Sequence, residues 1–252
     1  MSSTPILATR SLGLDIGGAT IVADVSLEVS EGELLGIIGP NGAGKTSLFN
    51  LISGIYRPTS GTIALDGKEI TRDRPYRRTR LGLGRTFQVS NVFPLLPVLE
   101  NVRLAAEAKL GGTMRIWRRA GWMREAIERA RWALERVGLA GRSDANAGEL
   151  AHGDKRKLEL AMVLAAEPRV ILLDEPMAGV SAEDVPELVQ LIRSIHRDEG
   201  KTVLMVEHHM DVVTGLAERI AVMHHGAMLA VDTPQAIMAN PTVQAAYLGE
   251  EL

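Results

Sequence analysis

The sequence predicts an α/β fold in which a mostly parallel sheet is covered by helices on both faces. Short, continuously apolar runs of strand length alternate along the chain with segments whose apolar residues have helical spacing. One such run leads through a glycine-rich turn straight into a helix-like segment. The 252 residues are 46% hydrophobic and 23% charged, which is ordinary usage for a chain that buries a sizeable core.

The predicted elements begin with two strands and a strand–turn–helix unit. Ile6–Leu14 and Ile21–Val29 alternate loosely around the turn signal Gly17-Gly18. Leu34–Ile38 is continuously apolar and precedes a glycine-rich turn, after which Lys45–Ser53 has helical spacing. The further predicted strands are Thr62–Leu65, Gly84–Phe87, Val170–Leu173 and Thr202–Val206, and the further helical segments are Val98–Gly138, Leu158–Leu164 and Glu183–Arg197.

Composition excludes several classes of protein. The chain has no cysteine, so it has no disulfide framework, no thiol nucleophile and no cysteine-based metal site. The net charge of -3 gives no reason to expect a nucleic-acid partner, and an aromatic content of 4% disfavours reading bases by stacking. Met1–Arg10 has no signal-peptide pattern and no run is long enough to span a membrane, so we expect any membrane role to come through a partner. The arginine-rich stretch Arg72–Arg80 is expected to be solvated.

A phosphate-binding loop follows the third predicted strand. Residues 39–46 fit the pattern G-x-x-x-x-G-K-[ST], after a strand and at the start of a helix. Backbone N–H groups of such a loop and of the helix start cradle phosphates, Lys45 reaches the β- and γ-phosphates, and the Thr46 hydroxyl ligates Mg²⁺. The sequence therefore predicts a nucleoside triphosphate site. Its predicted binding residues are Gly39, Pro40, Asn41, Gly42, Ala43, Gly44, Lys45, Thr46 and Ser47.

Polar residues at other strand ends complete the predicted site. Asp174 ends an apolar run, where its carboxylate can hold Mg²⁺ or a metal-bound water. Glu175 is placed to polarise the attacking water, although a cap on the following segment is a structural alternative. Gln88 and His208 each follow a strand-like segment and, in this company, are predicted to sense the γ-phosphate. The predicted catalytic residues are Lys45, Gln88, Glu175 and His208, and the predicted metal ligands are Thr46, Gln88 and Asp174.

The ordered set of motifs resembles the ATP-binding subunit of an ABC transporter. The phosphate loop at 39–46, Gln88, a signature at 150–154, the strand and carboxylates at 170–175 and His208 occur in that family's order. The signature reads Leu150-Ala151-His152-Gly153-Asp154, where the family usually has Leu-Ser-Gly-Gly-Gln.

The resemblance implies an architecture and an assembly. A single ABC ATPase domain spans 1–252, with a P-loop NTPase core at 1–88 and 161–252. The core includes an N-terminal antiparallel β region, and a helical subdomain with the signature is inserted at 89–160. The ligands are ATP and Mg²⁺, and each signature faces the ATP of a second ATPase subunit, of the same or a sister chain, in a head-to-tail dimer.

Within the family, the chain looks like the ATPases of branched-chain amino-acid importers. The features are Arg85-Thr86-Phe87-Gln88, the Leu-Ala-x-Gly form of the signature, Val206-Glu207-His208-x-Met210 and Ala246-Tyr247-Leu248-Gly249-Glu250. Importers of urea, amides or other small organic solutes share much of this pattern and remain an alternative. The implied location is the cytoplasmic face of the cell membrane. The implied partners are transmembrane permease subunits that dock around Val89–Glu100 and, indirectly, a solute-binding protein.

Rival classes explain less of the sequence. A soluble ABC-type ATPase acting on nucleic acid or ribosomes usually carries two cassettes or long coiled-coil insertions. A P-loop kinase or GTPase would account for the phosphate loop, but not for the signature, the Asp174-Glu175 pair or His208.

The sequence also departs from the family pattern. Ala151 lacks the hydroxyl of the usual signature serine, and Asp154 replaces glutamine, either as a helix cap or as a charge that repels the partner's triphosphate. Ile16 stands near the position of the family's adenine-stacking aromatic residue, so we expect adenine to rest on an aliphatic side chain, with relaxed base selectivity. Ser181 stands where the family often has aspartate, and with Asp184 it predicts a helix capping box.

Overall fold

The computed structural model describes residues 4–86, 92–110 and 119–248. The strands are β1 (Leu7–Ile16), β2 (Ala19–Val29), β3 (Leu34–Ile38), β4 (Ser60–Leu65), β5 (Lys68–Glu69), β6 (Leu83–Arg85), β7 (Val170–Asp174), β8 (Thr202–Val206), β9 (Arg219–His224) and β10 (Ala227–Asp232). The described residues form a four-stranded sheet, ordered β2-β1-β4-β5, and a six-stranded sheet, ordered β10-β9-β3-β8-β7-β6. The smaller sheet is antiparallel, whereas the larger one is parallel except for β10. The predicted mostly parallel sheet and N-terminal antiparallel region are confirmed.

Helices surround the larger sheet. They are α1 (Lys45–Ser53), α2 (Pro75–Arg80), α3 (Val98–Leu110), α4 (Arg119–Arg136), α5 (His152–Ala165), α6 (Val185–Arg197), α7 (Met210–Leu216), α8 (Pro234–Ala239) and α9 (Pro241–Leu248). α3, α4 and α5 pack against one another, and their apolar side chains join the core on one face of the six-stranded sheet. α1 and the small antiparallel sheet pack on the other face. In the part of the chain that the structure describes, no helix is both long and apolar enough to cross a membrane.

The continuously apolar strands follow from burial on both faces. Successive side chains of a strand point to opposite faces of the sheet. In β3, Leu34 and Ile38 join the core beneath α3, α4 and α5, whereas Leu35 and Ile37 join the core beneath α1. Both faces are covered, so every residue of β3, β7 and β8 is buried and none of these strands shows polar alternation.

Strand order brings three carboxyl ends together. Ile37 of β3 pairs with Val206 of β8, which pairs in turn with Asp174 of β7. Because these strands are parallel, the residues that follow them emerge side by side at the same edge of the sheet. This edge carries the phosphate loop, Glu175 and His208.

The fold departs from the sequence predictions at several elements. No element was predicted after Val206, yet residues 210–248 contain α7, β9, β10, α8 and α9. β5 and α2, which lie before β6, were not predicted either. The expectation that Arg72–Arg80 is solvated is wrong for Arg78, which is buried. α5 crosses the expected subdomain boundary at 160/161 as one uninterrupted helix, and the division into core and helical subdomain stays a prediction.

Candidate active site

The phosphate loop joins β3 to α1 through backbone that requires glycine. Gly44 caps α1 with φ 97°, and a β-carbon there would lie 2.8 Å from the Ile21 carbonyl oxygen. Lys45 is buried, and its Nζ donates to the carbonyl oxygens of Gly39 and Pro40 at 2.6 and 2.9 Å. Helix geometry leaves the amides of Thr46 and Ser47, in the first turn of α1, without an acceptor inside the helix. The loop therefore holds a cation and a helix N-terminus together, as phosphate binding requires.

The turn between β9 and β10 supports this loop from outside. The Gly226 amide donates to the Ala43 carbonyl at 3.1 Å, and the Gly226 carbonyl accepts from the Ala23 amide at 2.8 Å. The turn thereby ties the phosphate loop to β2. The sequence analysis missed this support, although the dipeptide His225-Gly226, with positive φ at both residues, is a turn signal.

Asp174 lies at the end of β7 and is paired with Arg85. Arg85 Nη2 donates to Asp174 Oδ2 at 2.9 Å, and Nη1 donates to Asn50 Oδ1 and Ser53 Oγ of α1 at 2.8 and 2.7 Å. Burial raises the pKa of the Asp174 carboxyl above its ordinary value, while the hydrogen bond from Arg85 acts in the opposite direction. From the sequence, Arg85 was identified only as part of the family resemblance, and its contact with Asp174 was not predicted.

The second carboxylate oxygen of Asp174 tests whether the site suits a metal ion. Oδ1 is buried and has no hydrogen-bond partner among the described residues. One carboxylate oxygen together with the Thr46 hydroxyl suits Mg²⁺, which takes few protein ligands and completes its shell with phosphate oxygens and water. Within residues 4–86, 92–110 and 119–248, no three His, Asp or Glu side chains cluster as a metal cage.

Glu175 and His208 are in direct contact. His208 Nε2 lies 2.9 Å from Glu175 Oε1, although the two residues are far apart in sequence. Glu175 has φ 49°, a strained conformation for a residue with a side chain, and its amide donates to the Val206 carbonyl at 2.9 Å. Because its carboxylate bonds to His208, the described geometry does not support the capping alternative for Glu175, and its role in hydrolysis stays a prediction. The sequence analysis placed both residues at strand ends but did not predict their pairing.

The signature segment leads into α5. The helix begins at His152, and Ala151 occupies the N-cap position without a side-chain cap. The interpretation of Asp154 as the helix cap is therefore wrong. Asp154 lies in the first turn, where its carboxylate is 3.7 Å from Lys157 Nζ and still faces the positive end of the helix dipole. Leu150 and Gly153 are buried at the same helix start.

The capping box predicted before α6 is half formed. Ser181 Oγ accepts from the Asp184 amide at 3.3 Å and donates to Asp184 Oδ2 at 2.8 Å, so the acidic side chain returns to the serine hydroxyl rather than to its amide. α6 then begins at Val185, the residue after Asp184.

The geometry of the described residues does not test the roles predicted for Ile16 and Gln88. Ile16 ends β1 and is 50% exposed, so an apolar surface is available there, and its role toward adenine stays a prediction. Gln88 lies outside the described residues, and its roles as γ-phosphate sensor and metal ligand stay predictions as well.

Comparison with known proteins decides the family. A family model described as "ABC transporter" matches residues 22–178, more than half of the chain. The chain belongs to the ABC transporter family. A second model, described as "Branched-chain amino acid ATP-binding cassette transporter", matches residues 227–252. As an ATP-binding protein of this family, the chain is an ATPase.

Relatives match along nearly the whole chain. The high-affinity branched-chain amino acid transport ATP-binding protein LivG of Salmonella typhimurium is 40% identical over 98% of this chain and 99% of its own length. BraF of Pseudomonas aeruginosa, also described as a high-affinity branched-chain amino acid transport ATP-binding protein, is 40% identical over 98% of this chain and 99% of its own length. The lipopolysaccharide export system ATP-binding protein LptB of Acidithiobacillus ferridurans is 35% identical over 98% of both chains.

Solved structures share the fold. The ADP conformation of an ATP-binding cassette of an ABC transporter aligns with a TM-score of 0.85 and 28% identity, over 98% of this chain and 100% of that one. A dimeric cassette in a post-hydrolysis state, bound to ADP and Pi, aligns with a TM-score of 0.75 and 26% identity, over 90% of this chain and 98% of that one.

Proposed function

We propose that the chain powers the uptake of branched-chain amino acids as the ATP-binding subunit of an importer. The relatives described as branched-chain amino acid transport proteins match it over 98% of its length, and the model matched at residues 227–252 has the same substrate class in its description. The lipopolysaccharide export relative covers the same length at lower identity. Importers of urea, amides or related solutes stay the alternative within the same reaction class.

The pairing of Glu175 with His208 carries the proposed mechanism. Lys45 and the first amides of α1 hold the β- and γ-phosphates and neutralise the charge that spreads over the transferred phosphoryl group. Glu175 orients the attacking water, and His208 fixes the Glu175 carboxylate and contacts the γ-phosphate. Thr46, Asp174 and the predicted ligand Gln88 would hold Mg²⁺, which supplies further positive charge at the phosphates.

We propose a head-to-tail dimer as the working assembly. The signature at 150–154 lies at the N-terminus of α5, and its amides suit the γ-phosphate of a nucleotide bound to a second subunit. The dimeric arrangement of a related cassette with ADP and Pi supports this assembly. The second subunit is a copy of this chain or a sister ATPase.

We propose that the permease subunits dock around Val89–Glu100, of which residues 89–91 lie outside the described residues, and in an apolar cleft of about 240 Å³ that α3 also borders. The cleft is bordered by α2, β6, α3 and α5, and Ile55, Leu83, Ala105, Ala108, Met162 and Val163 contribute to its lining. Glu159 also lines it, and Glu159 Oε1 is buried without a partner among the described residues, so a donor on the docked element would satisfy it. Docking there would hold the chain at the cytoplasmic face of the membrane, with a solute-binding protein as an indirect partner.

Replacing Glu175 by glutamine tests the mechanism. Because the amide cannot orient water as a carboxylate does, we expect Glu175→Gln to lower the hydrolysis rate at least about 100-fold. ATP binding by equilibrium titration should persist, and an ATP-bound dimer should accumulate in sedimentation. Lys45→Ala should instead lose nucleotide affinity, and Glu69→Gln, at an exposed carboxylate on β5, serves as the matched control. Normal turnover in Glu175→Gln would contradict the assigned role.

A further inference from the structure

A second buried carboxylate, that of Glu207, contacts both segments that carry the Glu175–His208 pair. Glu207 follows β8 and is 2% exposed. Oε1 accepts from the Met177 amide at 2.7 Å, and Oε2 accepts from the His208 amide at 3.0 Å. His209 Nδ1 lies 3.0 Å from the same Oε2. Both oxygens are therefore engaged by groups of the protein itself, which lowers the free energy of keeping a carboxylate away from water.

These contacts join the two segments that carry the catalytic pair. Met177 lies two residues after Glu175 on the segment that leaves β7, and the His208 amide belongs to the residue that presents the imidazole. A single carboxylate thus bridges the two segments that carry the 2.9 Å contact between Glu175 and His208.

The sheet does not provide this link by itself. Register between β7 and β8 ends at the pair Asp174–Val206, and the last ladder-type bond is that from the Glu175 amide to the Val206 carbonyl. Beyond that point no further strand pairing joins the two segments among the described residues, and the strained backbone of Glu175, with φ 49°, needs contacts that hold it. The hydrogen bonds of Glu207 begin where the ladder stops.

We propose that Glu207 is a positioning residue for ATP hydrolysis, whose carboxylate fixes the spacing between the Glu175 carboxylate and the His208 imidazole. It does not act on water or phosphate itself, because both of its oxygens are occupied and its side chain is buried. The inference rests on the roles proposed above for Glu175 and His208.

Glu207→Gln is the sharpest test. Glutamine has the same shape but replaces one oxygen by an NH2 group, which must face either the Met177 or the His208 amide, donor against donor. We expect kcat to fall about 10- to 100-fold, while the KM and the equilibrium affinity for ATP stay within about twofold. Glu207→Asp keeps the charge but is one methylene too short to reach both amides, so the same loss of kcat is expected.

A double-mutant cycle separates positioning from general destabilisation. The reference is the residual single-turnover rate of His208→Ala. If Glu207 acts through the Glu175–His208 pair, adding Glu207→Gln to His208→Ala should not lower this rate further. Multiplicative losses in the double variant would overturn the proposal. Should Glu207→Gln fail to fold, the cycle is run with Glu207→Asp and read in the same way.

Glu33→Gln is the matched control. Glu33 is also buried and hydrogen-bonded, to the Ser30 amide and Arg219, but it lies before β3 at the opposite end of the strands. We expect Glu33→Gln to lower the melting temperature and leave kcat unchanged. A Glu207→Gln variant that behaves like Glu33→Gln would overturn the proposal. Normal turnover in Glu175→Gln and His208→Ala would instead contradict the proposed function, so the two failures are distinguishable.

Discussion

The buried side chain of Arg85 links two elements of the candidate active site. Its guanidinium reaches the end of β7 through Asp174 and the helix of the phosphate loop through Asn50 and Ser53. The side chains of Arg85 and Asp174 are 8% and 0% exposed, so their pairing lies out of reach of solvent screening. Breaking one half of such a pair leaves a buried charge without its counterion, and the structure must then relax or admit water.

We therefore expect Arg85→Met to lower the free energy of unfolding by about 3–5 kcal/mol in chemical denaturation. The double variant Arg85→Met/Asp174→Asn removes both charges and should recover part of that loss. Arg169→Met is the control, because Arg169 pairs with Glu31 and Asp66 at the surface and its loss should change stability by less than about 1 kcal/mol. Equal effects of Arg85→Met and Arg169→Met would contradict the importance of burial.

At this scale the sequence identifies residues better than it identifies their contacts. Asp174 and Glu175 were predictable because an apolar run that ends in carboxylates marks the carboxyl end of a buried strand. The contact between Glu175 and His208, and the part proposed for Glu207, depend on β7 and β8 being neighbours. Strand order is a property of the folded sheet, and no local pattern in one sequence contains it.

At the scale of single elements, contacts at its C-terminus hold α1 in position. Gly54 ends α1 in the left-handed region with φ 84°, and Arg78 of α2 covers carbonyls of the last turn of α1. Arg78 Nη1 donates to the carbonyls of Leu51 and Ile52 at 2.7 and 2.6 Å, and its other nitrogens donate to the carbonyls of Thr71 and Asp73. Burial lowers the pKa of Arg78 to about 10, which still leaves it charged at neutral pH opposite the negative end of the helix dipole.

Replacing Arg78 should therefore loosen the helix of the phosphate loop. We expect Arg78→Met to destabilise the fold by about 3–5 kcal/mol, because several buried carbonyls lose a charged donor at once. Arg77→Met is the neighbouring control: its side chain is 65% exposed and pairs with Asp73 at the surface, so its loss should cost less than about 1 kcal/mol. Denaturant titration of both variants checks this, and an Arg77→Met effect as large as that of Arg78→Met would refute it.

Most strands and helices were predictable, and the failures have physical causes. α1 and β3 match their predicted bounds because a continuously apolar run, a glycine turn and helical spacing adjoin there. Arg78 was misjudged because a cluster of arginines reads as a solvated surface, whereas burial depends on carbonyls supplied by another element. β5, α2, α7, β9, β10, α8 and α9 were not predicted, because elements of two to eight residues hold too few positions for a strand or helix period to show.

At the scale of the whole molecule, the two edges of the six-stranded sheet carry different surfaces. β10 and β9 form one side of the sheet, where α8 packs, and β6 forms the other edge strand, where the apolar cleft lies. The active site lies between them, at the carboxyl ends of β3, β8 and β7. β6 carries Arg85, which lines the cleft and contacts the predicted metal ligand Asp174. A partner docked in the cleft would therefore lie one side chain away from the predicted metal ligand.

Filling the cleft should separate docking from catalysis. Ala108 lines the cleft and is exposed on α3, so Ala108→Glu adds bulk and charge there without disturbing buried packing. We expect the purified variant to hydrolyse ATP at the normal rate but to lose at least about tenfold in co-purification with the permease subunits of its transporter, because a desolvated charge would oppose docking. Ala239→Glu, on α8 at the opposite side of the sheet, is the matched control and should leave capture unchanged. Undiminished capture of Ala108→Glu would show that the permease subunits bind elsewhere, and equal losses in both variants would point to added charge itself rather than to the cleft.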